Sequence, residues 1–139
     1  PGPRGARGEV IVLDASAAVD WLLQTPVGKR IESRIYRSNE SLHAPHLLDL
    51  EVTQVVRRLV REGTISPLRA HQAIDDLLDL RVTRYPHDVL LPRIWQLRQN
   101  LTAYDAAYVV LAEKLSASLI TRDTRLRAAS GRQARIELF

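Results

Sequence analysis

Four acidic residues of this chain are placed where side chains can act together: Asp14, Glu51, Asp105 and Asp123. Asp14 closes the unbroken apolar run Val10-Ile11-Val12-Leu13, and Asp123 follows the short run Ser118-Leu119-Ile120-Thr121. Apolar, β-branched runs of this length read as strands buried on both faces, as in a parallel sheet. An acid directly after such a strand lies at its C-terminal tip, the edge where open α/β sheets bind ligands. Glu51 falls in the first turn or so of an amphipathic helix, and Asp105 in the first turn of a helix that Thr102 can open. Strand tips and the starts of the following helices share one edge of a parallel sheet. All four acids can therefore converge on one cleft.

Convergence is costly. Two unit charges about 4 Å apart repel by roughly 4 kcal/mol at an effective dielectric of 20. A protein that gathers several carboxylates must protonate some or bind a cation. The sequence has no cysteine, and its four histidines show no ligand spacing. An oxygen-only donor set favours Mg2+ or Mn2+ over Zn2+. The chemistry implied is metal-assisted hydrolysis of a phosphoester. Each acid alone also has a structural account. Asp14 can cap a helix, Asp105 can favour the helix dipole, Asp123 can form an Asx-turn before Arg125, and Glu51 can face solvent. Two features favour the joint account. Glu51 sits between Leu50 and Val52 on a helix whose other charges gather near its C-terminal half, and Asp123 follows its apolar run as Asp14 follows its own.

The elements that must position these residues alternate along the chain. After the first strand, a helix runs through Ala17, Val19, Trp21 and Leu23, and Pro26 opens another that ends near Ser38-Asn39. Ser41 to Ala44 is a brief second strand. Leu47 to Arg61 is an amphipathic helix with Leu47, Leu48, Leu50, Val52, Val55, Val56, Leu59 and Val60 on its apolar stripe, stopped by Gly63. Ser66-Pro67 caps and starts a helix reaching Leu78. Leu80 to Tyr85 alternates as a strand with one solvated face, His87 to Gln99 is helical, and Ala103 to Ser116 is helical. Ser118 to Thr121 is a strand, Thr124 to Ala129 a turn or two of helix closed by Gly131, and Ala134 to Phe139 the last strand. This order gives an α/β class with a mainly parallel central sheet flanked by helices in three layers. One domain covers residues 9–139. Residues 1–8 carry three glycines and two prolines without periodicity, which suits a flexible tail or an expression remnant.

Of the 139 residues, 45% are apolar and 26% charged, ordinary for a soluble globular protein. No run approaches a membrane span and no signal-peptide pattern is present, so no membrane is involved and the cytoplasm is the expected location. The net charge is +4, and it understates the basicity of the remaining surface if several acids are confined to one cleft. Arg30, Arg34, Arg37, Arg57, Arg58, Arg61, Arg122 and Arg125 are the candidates for phosphate contacts. Arg122, between Thr121 and Asp123, is the best placed for the cleft, with an ion pair to one of the acids as its alternative. Trp21, Trp95, Tyr104 and Tyr108 are better explained as core or interface residues than as base-stacking platforms. His43 and His46 read as loop residues, and Glu113 as half of a helix-surface pair with Arg or Lys.

The pattern Val-Leu-Asp14-Ala-Ser16, Glu51 on a mid-chain helix, Tyr104-Asp105-Ala-Ala-Tyr-Val-Val-Leu-Ala-Glu113 and Leu119-Ile-Thr121-Arg-Asp123-Thr-Arg-Leu126 resembles the PIN domain. Within that family it is most similar to the VapC toxins of bacterial toxin–antitoxin pairs, over nearly the whole of Val10 to Phe139. The resemblance implies that Asp14, Glu51, Asp105 and Asp123 are the metal-binding, catalytic acids, with Ser16 and Thr121 supporting them by hydrogen bonds. It implies a Mg2+-dependent endoribonuclease, with Mn2+ a plausible substitute, that cuts a tRNA or rRNA loop and inhibits translation. It implies a homodimer, and a heterotetramer or larger assembly with a VapB-like antitoxin that blocks the cleft. Asp14, Asp105 and Asp123 would hold one ion, while Glu51 would ligate a second or orient the attacking water.

Other readings fit less well. A haloacid-dehalogenase-like phosphatase needs a second Asp two residues after the first, where this chain has Ser16. A receiver-like module needs a lysine after a late strand, and Lys29 and Lys114 are not so placed. A housekeeping PIN nuclease that processes RNA, or a catalytically silent RNA-binding module, remains the alternative to a toxin.

Overall fold

A computed structural model describes residues 9–37, 40–128 and 133–139. Its centre is a five-stranded sheet in the order β3-β2-β1-β4-β5, with every neighbouring pair parallel. The strands are β1 (Val10–Leu13), β2 (Ser41–Pro45), β3 (Val82–Tyr85), β4 (Ser118–Thr121) and β5 (Arg135–Leu138). The helices are α1 (Ala15–Leu22), α2 (Pro26–Tyr36), α3 (Leu47–Arg61), α4 (Pro67–Asp79), α5 (Leu91–Gln96), α6 (Ala103–Leu115) and α7 (Thr124–Ala128). The three-layer α/β architecture expected from the strand–helix alternation is the one observed.

The chain winds outward from β1 to β3, then returns past β1 to lay down β4 and β5. Right-handed crossovers place helices of the outward and return journeys on opposite faces. α1 to α4 pack on one another and α5 and α6 pack together, two groups that this rule assigns to opposite faces. The reversal point lies between β1 and β4, and the crevice outside their C-terminal ends is where such sheets bind ligands. Both strands are buried on both faces, with Ile11, Val12, Leu13, Leu119 and Ile120 fully enclosed. Full burial of one such side chain stabilises by roughly 1.5–3 kcal/mol. These two strands are thus the most firmly held ground on which a site can stand.

Local chemistry sets the element ends. Thr25, Ser66 and Thr102 each accept a backbone N–H as N-caps of α2, α4 and α6. Gly63 has φ of 75°, a left-handed turn that ends α3. Gly28 is required for a different reason: a Cβ there would lie 1.8 Å from Asp20 O, so glycine lets α2 press against the α1 backbone.

Several expectations change. Residues His87 to Gln99 are not one helix but a 3-10 turn (Asp88–Leu90) leading into the short α5. Pro92 lacks the N–H that a continuous helix would use and sits instead in the first turn of α5. Leu50 is 73% exposed and leaves the apolar stripe of α3. His43 belongs to β2 rather than a loop, and its ring bonds Tyr85 Oη and Ser41 Oγ. Residues 1–8, the expected helix end at Ser38-Asn39, and the closing Gly131 lie outside the described residues.

Candidate active site

Asp14 is built into the fold at the tip of β1. It is 5% exposed and it caps α1, accepting the Ala17 N–H on Oδ1 at 3.0 Å. Ser16 Oγ donates to the same oxygen at 2.7 Å, and Thr121 Oγ1 donates to Oδ2 at 2.5 Å. The two hydroxyls also receive backbone donors from the β4 exit. Arg122 N–H donates to Ser16 Oγ at 3.0 Å, and Asp123 N–H donates to Thr121 Oγ1 at 2.9 Å. Ser16 and Thr121 therefore lock the ends of the two central strands to each other. Burial raises the Asp14 carboxyl above its usual range, against the three donors that lower it, and the negative charge of Asp123 raises it further. The protein alone does not fully compensate this charge.

Asp123 shows the opposite balance. Arg125 Nη2 donates to Oδ2 at 2.6 Å, and the Arg125 N–H donates to Oδ1 at 2.9 Å. These bonds hold the Asp123 carboxyl below the usual carboxylate range. The same Nη2 lies 3.8 Å from Asp105 Oδ2. Arg125 thus joins the acid after β4 to the acid on α6, where Thr102 has set the helix start by accepting the Asp105 N–H at 3.1 Å.

Glu51 reaches the site from the other helical layer. Tyr108 Oη donates to Glu51 Oε1 at 2.5 Å. Burial first, then the Glu51 hydrogen bond, keeps the tyrosine hydroxyl protonated far above its usual range. The negative charges of Glu51, Asp14 and Asp105 all contribute to that shift. One hydroxyl on α6 therefore senses three of the four acids, and the fourth acts on Asp14. Contacts among them run through Tyr108 to Glu51 and through Arg125 to Asp123 and Asp105.

Among the described residues, no three acids or histidines close into a ligating group as they are disposed. Asp123 and Asp105 are turned to Arg125, and Glu51 to Tyr108. The donor chemistry nevertheless suits a hard divalent cation: carboxylate oxygens, supporting hydroxyls, no thiolate and no imidazole. Arg125 already marks where a positive charge is accommodated between two of the acids.

Other expected residues fall elsewhere. Arg122 turns to α1, where Nη1 pairs with Asp20 Oδ2 at 3.0 Å, so its partner is none of the four acids. Arg34 leaves the set of phosphate contacts altogether. Its side chain is 8% exposed and bonds Glu9, Glu40 and Glu137. Arg30, Arg37, Arg57, Arg58 and Arg61 are exposed. Glu113 pairs with Arg93 at 3.0 Å. Trp21 and Tyr108 are buried, whereas Trp95 and Tyr104 are exposed and do not belong to the core. Tyr108 is the residue whose contact with a site acid pattern reading missed. Its signal was a lone hydroxyl in the otherwise apolar buried run Ala106–Ala112.

A buried acid at the β1 tip, tied by hydroxyls to β4 and faced by acids from both helical layers, defines a PIN-type site. The sequence pattern of the PIN domain matches residues 11–132, and the chain belongs to that family. It is 45% identical over 131 residues to ribonuclease VapC1 of Mycobacterium tuberculosis, covering 91% of this chain and 96% of that one. It is 42% identical over 129 residues to ribonuclease VapC12 of the same species, covering 93% and 98%. Its fold matches the crystal structure of VapBC2 from Rickettsia felis bound to a promoter DNA fragment, with a TM-score of 0.68 at 11% identity, covering 94% and 98%.

Proposed function

We propose that the protein is a Mg2+-dependent endoribonuclease toxin of a VapC type, with Mn2+ a competent substitute. The observation that carries this reading is the buried, under-compensated Asp14 at the switch point of the sheet, with Glu51, Asp105 and Asp123 around it. The identity to VapC1 and VapC12 along almost the full chain supports RNA as the substrate. Asp14, Asp105 and Asp123 would hold a divalent ion directly or through water. When bound, the ion would supply a more acidic water and neutralise charge on the phosphate.

The chain's own groups do the remaining work. Asp14 is immobilised by three donors and presents a fixed oxygen wall. Tyr108 engages Glu51 Oε1 and leaves Oε2 to hold an ion, directly or through the attacking water that it would orient as a base. In-line attack on phosphorus would leave 5′-phosphate and 3′-hydroxyl ends. Arg125 neutralises two acids before substrate arrives and is near enough to meet a phosphate once they are otherwise engaged. Arg122 would have to exchange Asp20 for phosphate to do the same. A loop of tRNA or rRNA is the proposed target, and inhibition of translation the outcome.

A VapB-like antitoxin and a second copy of the chain are the proposed partners. The exposed Leu91, Trp95 and Tyr104 around the α5–α6 junction support this, since such clusters mark interaction surfaces. No helix among the described residues is long and apolar enough to cross a membrane. The test is incubation with total RNA in Mg2+ or EDTA, beside Asp14→Asn. Cleavage in Mg2+ alone, lost in the variant, is expected. Equal cleavage by the variant would overturn the site.

A further inference from the structure

We propose that Tyr108 is a positioning residue for Glu51, holding this carboxylate aimed at the shared cleft through the hydrogen bond between its hydroxyl and Oε1. The inference rests on the metal-site reading above, and adds to it a residue outside the four acids.

The geometry is specific. Tyr108 is 2% exposed, and its hydroxyl lies 2.5 Å from Glu51 Oε1. It follows Asp105 by three positions on α6, so the two share a helix face. By the right-handed crossover rule, α6 and α3, which carries Glu51, belong to opposite helical layers. The hydroxyl is thus a strut across the sheet edge, between two helices that each bring one acid. Its neighbours Ala106, Ala107, Val109, Val110, Leu111 and Ala112 are all buried and apolar, and phenylalanine would satisfy packing here equally well. A buried hydroxyl needs an acceptor, and the acceptor chosen is a site carboxylate, not a nearby backbone carbonyl.

The consequence is geometric. A donor on Oε1 fixes the orientation of the carboxylate and leaves Oε2 for a water or an ion. Partners of this kind set ligand direction, and their loss typically costs 10–100-fold in metal affinity or activity.

The test uses the full chain and Mn2+ as the probe, with binding followed through the free-ion paramagnetic resonance signal. Wild type, Tyr108→Phe, Glu51→Gln and the double variant are compared, with metal-free thermal midpoints measured alongside. Tyr108→Phe is expected to weaken Mn2+ binding about tenfold, and to add nothing to the loss in Glu51→Gln. With RNA, kcat should fall while KM is unchanged. Unchanged Mn2+ affinity in Tyr108→Phe, or a full tenfold loss added on top of Glu51→Gln, would overturn the inference. Glu51→Asp serves as a variant that leaves the core untouched, because it shortens the acid away from the hydroxyl. It should show a similar loss, and wild-type affinity there would also overturn the inference. If Asp14→Asn leaves Mn2+ affinity unchanged, the metal site itself falls. If Asp14→Asn abolishes binding and Tyr108→Phe does not weaken it, only the role of Tyr108 falls.

Discussion

Carboxylates gather in two places in this molecule, and the two are resolved differently. Around Arg34, Glu9 and Glu40 approach from just ahead of β1 and β2, and Glu137 from β5. A buried guanidinium with its donors spread over three acids holds them there. At the opposite, C-terminal tips of β1 and β4 lie Asp14, Glu51, Asp105 and Asp123. The guanidinium that pairs with Asp123 and Asp105 there, Arg125, has a side chain 75% exposed. The first cluster is closed by the chain itself. In the second the pairing cation is at the surface and the buried Asp14 carboxyl is raised by desolvation, and that is the physical difference between the two.

Removing Arg34 should have the largest effect. Arg34→Met strips three carboxylates of their partner, and breaking a buried pair in this way costs about 3–5 kcal/mol. Urea unfolding should show that loss, while a change below about 1 kcal/mol would erase the contrast between the clusters. Asp14→Asn should behave in the opposite sense. Asparagine can keep the cap to Ala17, and Thr121 can rotate to accept, so metal-free stability should change by less than about 1 kcal/mol. Only the response to Mg2+ should disappear.

Acid titration sharpens the comparison further. Hydrogen bonding to Arg34 depresses the Glu137 carboxyl below its usual value of 4.5. A group with a depressed folded value contributes stability above its unfolded value and loses it as pH falls through the folded value. The thermal midpoint should therefore decline as pH drops below about 4.5, and Arg34→Met should flatten that decline. The smallest effect is expected at Arg125. Arg125→Ala removes an exposed pair and should alter stability by no more than about 1 kcal/mol. Even so, the Asp123 carboxyl should titrate at a higher pH, which side-chain NMR would register.

Much of this could be seen in the sequence because it is local. Apolar runs declare β1 and β4, caps and prolines declare α2, α4 and α6, and Asp14, Asp123 and Asp105 each follow one of these signals directly, while Glu51 rides on the amphipathic α3. What escaped was long-range or lateral. Glu137 is 103 positions from Arg34, and nothing periodic announces that Arg34 would turn inward instead of towards a phosphate. Tyr108 resembled any buried aromatic until α3 brought Glu51 within reach of its hydroxyl. Leu50 fitted an apolar stripe by type and fell outside it by angle. The long helix expected after His87 ignored Pro92, whose chemistry was visible and simply outweighed by periodicity.

The central claim is that the acid cluster at the β1 and β4 tips binds a divalent cation. Thermal unfolding with and without Mg2+ tests it most directly, because a ligand that binds only the folded state stabilises it in proportion to occupancy, by about 2.7 kcal/mol at a hundred times its dissociation constant. Wild type and Arg125→Ala should gain stability with Mg2+, and Asp14→Asn should gain none. An equal Mg2+ response in wild type and Asp14→Asn, or no response in any of the three, would contradict the account.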